Sequence, residues 1–505
     1  MIYFLTFLYL LQNYALFDII YLSICKRGEF MELEERKLKL NTKNTLYIGC
    51  AFFSILMLWQ MYNNYCPLFL DYLLRDQTGK SNEFIIGIIM ASDNALAIFM
   101  LPLFGALSDK THTKMGKRMP YIVIGMILSA LLFPMIAVMF YLHSLVGVII
   151  MMALILIIMN MYRNPAVALM PDVTPKPLRS KANGIINFVG YLGAILAGGL
   201  AMFLKIADNS KVQNWEPTKP ENAIIAFCIA SAFMVIALII LLFKVNENKL
   251  LQENQDDIAY GEKLSEAMGE IVEDQPLSKA DKKNLVVLIL GILFWYMSFN
   301  AIETFNSLFC KNILLDEGIA STIVIILTVS SIVTFLTSIN LPSKIGRKNT
   351  VLLGIAGLVI GFLGILIYLF ANGVFSDGYH EKIAANHNQL FFSVIPIYLL
   401  IVVCGAGWAL INANSYPMMV EISTSKTIGK FTGYYYTVSM VAQTITPILI
   451  GLIMYNSQAS LKLLYIYSAI LMVLAFVIMF FYQEKKTPKN KAKKKAIGFD
   501  ALDVD

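Results

Sequence analysis

"FIIGIIMASDNALAIFMLPLFGALSDKTHTKMGKRMPYIVIG", residues 84–125, contains the pattern that decides the fold class. A long apolar run is followed by a short basic loop, and a second apolar run begins directly after it. A helix of about 20 apolar residues is long enough to span a bilayer. The stretch therefore predicts two membrane-spanning helices joined by a short loop, with Asp93 inside the first of them.

The rest of the chain repeats this pattern. Of its 505 residues, 58% are hydrophobic and 15% are charged, whereas soluble domains are about half apolar and about a quarter charged. Apolar runs of spanning length occupy 44–66, 84–107, 120–142, 145–169, 184–205, 222–243, 285–307, 319–341, 350–371, 391–414, 429–454 and 460–482. We therefore predict an all-α polytopic membrane protein with twelve transmembrane helices.

A polar stretch divides the twelve runs six and six, which indicates two bundles and a linker. The predicted parts are an N-terminal extension with its lead-in (1–43), a first six-helix bundle (44–243), a partly helical cytoplasmic linker (244–284), a second six-helix bundle (285–482) and a basic cytoplasmic tail (483–505).

Lys and Arg are unevenly distributed between the two sides of the predicted bundle. Loops 108–118, 172–183, 342–349 and 423–430 carry 12 of them in 39 residues. The loops of the other side, 73–83, 205–222, 308–318, 372–390 and 456–462, carry 8 in 66. Basic residues favour cytoplasmic loops, so we expect the linker and both ends of the twelve-helix body to be cytoplasmic, in a multi-pass protein of the cell membrane. Loop bias and attraction to anionic lipid account for the net charge of +6 without a nucleic-acid partner.

The N-terminal residues leave two interpretations open. Residues 2–25 are apolar but lack the basic start of a signal peptide. Met31 begins "MELEERKLKLNTKN", which resembles a natural start. Residues 1–30 are therefore either dispensable or a misplaced start, or they form an extra helix with its N-terminus outside.

The motifs that would indicate an enzyme or an ATP-driven pump are missing from the sequence. Six scattered cysteines and four histidines show no spacing typical of metal ligands, and there is no Walker loop, nucleophile elbow or HExxH. We therefore expect no catalytic residues, no metal and no cofactor.

The two halves repeat each other in sequence. "LWQMYNNYCPLF" (58–69) matches "FWYMSFNAIETF" (294–305), with Trp, Met, Asn and Phe in register at an offset of 236. "MGKRMPYIVIG" (115–125) matches "IGRKNTVLLG" (345–354), and 169–185 matches 419–434. Two six-helix halves of the same orientation form the parallel repeat of transporters that rock about a central site.

These stretches also carry a family resemblance. "FGALSDKTHTKMGKRMPYIVIG" resembles the loop between helices two and three of the major facilitator superfamily, in the form found in sucrose–proton symporters and, more loosely, in glycoside–pentoside–hexuronide:cation symporters. "YRNPAVALMPDVTPKPLRSKANGI" is similar to the fourth helix and following loop of that branch. The resemblance covers about 44–482 and implies the major facilitator fold.

The sequence departs from that branch in the second helix. The cation symporters carry acidic residues shortly before the loop, where this chain has Ala97 and Leu101, while Pro102 and Gly105 match. Asp93 lies one turn earlier than Ala97, the first of these positions. We therefore expect the coupling cation to be a proton rather than sodium.

Two intramembrane carboxyls are candidates for cation coupling. A charge at the centre of a bilayer costs about 3 kcal/mol on insertion scales, so it is retained mainly where it pairs or faces a cavity. Asp93 and Glu303 are the coupling candidates, and Arg163, whose five donors can hold a carboxylate or sugar hydroxyls, is the expected complement. A purely structural role, as a hydrogen bond or salt bridge between helices, remains the alternative.

Polar and aromatic residues on helices one, four, seven and ten are candidates for substrate binding. Helix seven places Tyr296, Asn300, Glu303 and Ser307 on one face. The resemblance implies that these four helices line the cavity. The candidates are Trp59, Gln60, Asn63, Asn64, Asn160, Arg163, Tyr296, Asn300 and Trp408, with Trp295 as a further aromatic; packing or an interfacial belt is the alternative for the tryptophans.

The resemblance assigns the charged loops a gating role. In the family this cytoplasmic loop helps to hold one conformation shut. The candidates are Asp109, Gly116, Lys117, Arg118 and Asp172 in the first half, and Gly346, Arg347, Lys348 and Glu421 in the second. Charge placed only for topology is the alternative.

Together these features predict a secondary active transporter that takes up a sugar or glycoside with protons by alternating access, and that acts as a monomer in the lipid bilayer. A cation-coupled carrier of lysolipid or another amphiphile is the first alternative. A non-transporting sensor or scaffold is the second, although the linker 244–284 is short for a soluble domain.

Overall fold

The computed structural model describes residues 38–78, 81–207, 217–269, 278–338, 340–376, 378–386, 390–422, 428–456 and 460–483. Both interpretations of residues 1–30 lie outside the described residues, and so does the tail beyond residue 483.

Twelve long apolar helices make up the described body, as the sequence predicts. They are α1 (Thr42–Thr78), α2 (Glu83–Lys110), α3 (Met119–Tyr141), α4 (Leu145–Asp172), α5 (Arg179–Phe203), α6 (Glu221–Lys244), α7 (Lys279–Asn312), α8 (Glu317–Thr337), α9 (Arg347–Ala371), α10 (Ile395–Ile422), α11 (Ile428–Tyr455) and α12 (Leu463–Phe480).

Helices α1, α7 and α10 are longer than predicted. The predicted apolar runs end at residues 66, 307 and 414, but the helices continue to Thr78, Asn312 and Ile422. The predicted loops 73–83 and 308–318 are therefore wrong in their first residues. In α1 and α7 the hydropathy falls where charged residues begin, yet the helix persists because those charges are paired inside the protein, as described below.

Small residues bring neighbouring helices into close contact within each half. In the second half, Gly354 of α9 and Gly407 of α10 face each other, and a Cβ on either one would meet the backbone of the other helix. In the first half, Gly193 of α5 lies against the backbone of Phe53 in α1. Interfaces of this kind are typical of membrane helices, where packing rather than hydrophobic burial drives association.

The linker lies on one end of the bundle and is partly helical, as expected. It contains short helices at Glu247–Glu253 and Gln255–Gly269. We call this end of the bundle, which also carries the loops after α2, α4 and α8, the linker face. The opposite end, where α1 and α7 finish, is the far face.

We predict that residue 255 and the tail near residue 490 are accessible from the same side of the membrane, and that residue 380 is accessible from the other side. An even number of helices separates 255 from 490, and three helices separate 255 from 380. Short epitope tags at the three positions, probed in intact and permeabilised cells, test this topology. Labelling of 255 and 380 from the same side would contradict it.

Candidate functional site

Three charged side chains from both halves come together at mid-depth in the bundle. Asp93 of α2 is buried, and it lies within electrostatic range of Arg163 in α4 and of Glu303 in α7. Its Oδ1 has no hydrogen-bond partner among the described residues, nor has the buried hydroxyl of neighbouring Tyr62. The sequence predicted all three charged residues separately, and the fold places them in one cluster.

Arg163 lies against an aromatic face and not directly on a carboxylate. Its guanidinium carbon is 4.4 Å from the ring centroid of Trp59 in α1. Such a cation–π contact is worth about 0.5–2 kcal/mol, depending on desolvation. Asp93 is near, but the two side chains form no ion pair within 4.0 Å in this structure. Arg163 therefore has two potential partners in the first half, an indole face and a carboxylate.

Glu303 faces the space between the halves. Its side chain is exposed, although it lies in the middle of a helix bundle. Asn63 of α1 donates from Nδ2 to Glu303 Oε1 at 3.5 Å, which joins the first half to the second. Asn300, one turn earlier in α7, also interacts with this carboxylate. The predicted polar stripe of α7 thus contributes Asn300 and Glu303 to the site.

An aromatic wall in the second half borders the same space. Phe299 stacks on Trp408 of α10 with centroids 3.8 Å apart and planes inclined by 3°. Tyr296 makes an edge contact with Trp408 at 5.6 Å, and its hydroxyl lies 3.4 Å from that of Tyr435. The Tyr435 hydroxyl is in turn 2.9 Å from Ser415 Oγ. Tyr435 and Ser415 extend the predicted site, and the sequence offered no periodic signal for them.

Several predicted residues lie outside this cluster. Asn160 is completely buried and donates to the carbonyl of Leu156 in its own helix. Trp295 is also completely buried, in the core of the second half. Asn64 is buried and accepts a hydrogen bond from Gln60 Nε2 at 3.0 Å. These contacts fit packing or support better than direct contact with a substrate.

The predicted gating residues of the first half form one network at the linker face. Arg118, which is buried, donates from Nε to Asp172 Oδ2 at 2.9 Å and pairs through its other nitrogens with Asp109 and Ser108. Lys117 Nζ lies 3.1 Å from the same oxygen of Asp172. The network therefore ties the ends of α2 and α4 to the start of α3.

The second half repeats this arrangement in part. Arg347 Nε is 2.8 Å from Glu421 Oε1, which joins the start of α9 to the end of α10. Lys348 instead donates to the carbonyl of Phe480 in α12 at 2.8 Å. Gly116 and Gly346 precede the two basic pairs, and both have positive φ angles, of 110° and 87°. Both turns therefore favour glycine.

At the far face, ion pairs cross from one half to the other. Lys311 Nζ of α7 lies 2.6 Å from Asp71 Oδ2 of α1, and both side chains are buried. Arg75 holds the other oxygen of Asp71 at 3.0 Å and also donates to Asn312 at 3.4 Å. Hydropathy places Arg75 and Lys311 in the predicted loops 73–83 and 308–318, so the sequence did not indicate this cluster, although both residues belong to helices.

A second set of contacts closes the far face beside α5 and α8. Lys205 Nζ is 2.6 Å from Asp316 Oδ1. The next residue, Glu317, is buried and accepts the backbone N–H groups of Ile206 and Ala207. Each of these contacts again joins a residue of the first half to one of the second.

Glycines allow α2 of the first half and α11 of the second half to approach each other closely. A Cβ on Gly87 would meet the carbonyl of Pro447, and a Cβ on Gly451 would meet the carbonyl of Glu83. These contacts lie toward the far face, whereas the strong linker-face pairs Arg118–Asp109 and Arg347–Glu421 each stay within one half. The central site is therefore closed toward the far face.

A twelve-helix body in two matched halves, with charged and aromatic residues between them, defines the class of transporters that work from a central site. A family model described as MFS/sugar transport protein matches residues 48–455. The chain therefore belongs to this family, and the resemblance to the major facilitator superfamily is confirmed. Among curated proteins, no sequence matches significantly.

Solved structures share the fold. The xylose transporter XylE from E. coli, in an inward open conformation, has a TM-score of 0.60 and 14% identity, with 88% of this chain and 97% of that chain covered. A mutant of the nucleoside transporter NupG has a TM-score of 0.59 and 16% identity, with 87% and 100% covered. A bacterial homologue of the iron transporter ferroportin has a TM-score of 0.59 and 12% identity, with 88% and 100% covered.

We predict that Gly87→Ala opens the far face, because its Cβ cannot be accommodated against the backbone of Pro447. In a chain whose native cysteines are replaced, a cysteine at Asn63 reports access to the central site. A membrane-impermeant maleimide added on the far side should label it at least fivefold faster in Gly87→Ala. Gly199→Ala is the matched control, since a Cβ there meets nothing within 4 Å. Equal labelling rates in all three proteins would contradict the prediction.

We also predict that Asp71→Asn lowers the thermal unfolding temperature markedly, because it removes the buried carboxylate that lies 2.6 Å from the Lys311 ammonium. Removal of one partner of a buried pair costs about 3–5 kcal/mol, whereas replacing both partners is often neutral. Asp71→Asn combined with Lys311→Met should therefore recover most of the loss. Lys249→Ala, which removes an exposed pair with Glu253, should change little. A double variant no more stable than Asp71→Asn would contradict this account.

Proposed function

We propose that the protein is a secondary active transporter that couples the movement of a sugar or glycoside to a proton by alternating access. The observation that carries this proposal is the meeting of Asp93, Arg163 and Glu303 between the two halves. Membership of the MFS/sugar transport protein family supports it. So do the fold neighbours XylE and NupG, which are described as xylose and nucleoside transporters.

The groups around the cluster match the chemistry of a sugar. Gln60, Asn63 and Asn300 offer directional donors and acceptors for hydroxyl groups. Trp59 and Trp408 offer flat faces for the apolar side of a pyranose ring. A lysolipid carrier would favour a large apolar cavity with a single charged contact. Three charges and several amides beside two indoles therefore favour the sugar over the amphiphile.

The charge balance of the site supports cation coupling. The cluster contains two carboxylates and one guanidinium, so it carries one net negative charge when both carboxylates are ionised. One proton on Asp93 or Glu303 makes it neutral. In this proposal, protonation of Asp93 leaves Arg163 on the Trp59 side, where it can hold a sugar hydroxyl. Loss of the proton draws Arg163 to Asp93 and stabilises the empty carrier.

The orientation follows from the same proposal. The basic loops, the linker and the tail lie on the cytoplasmic side, because Lys and Arg favour that side. Arg75 and Lys311 belong to helices and not to loops, which makes the far-face loops still poorer in basic residues. We place the protein in the cell membrane as a monomer, without a nucleic-acid partner.

A sensor or scaffold is the alternative of another class. The described part of the linker packs on the loops of the first half, and the polar groups between the halves would have no purpose in a scaffold.

Uptake into proteoliposomes decides between the transporter and the sensor or scaffold. A panel of mono- and disaccharides, with a lysolipid included, should be tested under proton and sodium gradients imposed separately. Accumulation of a sugar driven by the proton gradient is the expected result, and uptake of none of the panel under either gradient would count against transport.

We predict that Asp93→Asn abolishes accumulation but preserves exchange at equal concentrations. The amide keeps the size of the side chain and cannot cycle a proton, whereas exchange needs no net proton release. Glu303→Gln is the parallel variant on the second half. If Asp93→Asn accumulates substrate like the parent and Glu303→Gln does not, the coupling carboxyl is Glu303. Normal accumulation by both variants would overturn the assignment of coupling to this cluster.

A further inference from the structure

The linker supplies a buried carboxylate to the gating loop. Glu247, in the first turn of the linker helix Glu247–Glu253, has no exposed surface. Its Oε1 accepts the backbone N–H of Lys117 at 3.0 Å, and its Oε2 accepts those of Arg118 and Met119 at 2.9 and 3.0 Å. Three consecutive amides at the start of α3 therefore converge on one carboxylate.

This carboxylate replaces the cap that α3 lacks. Arg118 occupies the N-cap position and makes no capping hydrogen bond with its own side chain. The first N–H groups of a helix need an acceptor, and the helix dipole favours a negative charge at that end. Glu247 satisfies both requirements, although it lies about 130 residues away along the chain.

Neighbouring contacts fasten the linker to both loops of the first half. Asn248 Nδ2 donates to the carbonyls of Thr113 and Lys114 at 3.2 and 3.0 Å. Asn254 Nδ2 donates to the carbonyl of Val173, after α4, at 3.0 Å. Gly116 packs directly on Glu247, because a Cβ at this position would meet the carboxylate.

Arg118 connects this contact to the gating network. Its backbone N–H is held by Glu247, and its guanidinium pairs with Asp109 and Asp172. The position of the backbone decides where the guanidinium emerges. We propose that Glu247 is a positioning residue of the linker-face gate that acts through Arg118, so that the linker segment 246–254 moves with the first half during alternating access.

The proposal goes beyond the transport function, and its test needs no substrate. Spin labels replace the exposed residues Lys110 and Lys344, which lie at the linker face on opposite halves. Distance distributions measured in liposomes give the ratio of short to long separations, and short separations correspond to a closed linker face. Glu247→Ala should lower this ratio at least threefold, because the loop no longer holds Arg118 in place. Glu253→Ala, in the same helix but exposed, is the control and should leave the ratio unchanged.

A double-mutant cycle separates positioning from simple destabilisation. Arg118→Ala should lower the ratio by itself, and adding Glu247→Ala should change it less than 1.5-fold further, since residues in one network are not additive. If Glu247→Ala does not fold, Glu247→Gln keeps one carbonyl acceptor and should give a smaller shift in the same direction. An unchanged ratio in the Glu247 variants, or effects of the two substitutions that multiply in full, would overturn the proposal.

Discussion

A charge inside an apolar helix bundle persists only beside an opposite charge or next to a polar cavity, and the structure depends on this constraint. At the far face it is met by Asp71 and Lys311, which pair across the two halves at 2.6 Å. At mid-depth it is met by Asp93 and Arg163, which lie near each other and near the space between the halves. The same requirement thus produces a seal in one place and a site in another.

The sequence predicted the number and the order of the helices, because apolar runs report burial in a membrane directly. The predicted helix ends were wrong where a helix continues beyond its apolar run. Arg75 and Lys311 lowered the hydropathy and ended the predicted spans, although both lie in helices. The internal repeat contained a usable signal, since these two residues are equivalent at the offset of 236 seen for Trp59 and Trp295. Basic residues at equivalent positions near the ends of equivalent helices indicate that both could pair with one acidic residue.

The candidate site was predictable by residue type and only partly by position. Asp93, Arg163 and Glu303 were recognisable because each is an ionisable group in an apolar run. Asn160 lies one turn from Arg163, but its side chain packs within the first half. Periodicity shows which residues share a face of a helix and not which neighbour that face meets. Tyr435 of α11 contacts the site, and Glu247 of the linker contacts the gating loop. Only the tertiary structure shows these two contacts.

The Asp71 cluster also makes the two halves unequal. The backbone repeats, but one acid serves two equivalent bases, and Ser307 stands where the second half would need a counterpart of Asp71. A symmetric carrier would spend equal time open to each compartment. Here the ion pairs of Asp71 stabilise the empty molecule in the conformation that is closed at the far face. These ion pairs must break each time the molecule opens to the far compartment. The conformational step that opens the carrier to the far compartment is therefore expected to have a larger activation enthalpy, and so a steeper temperature dependence, than the step that opens it to the other side.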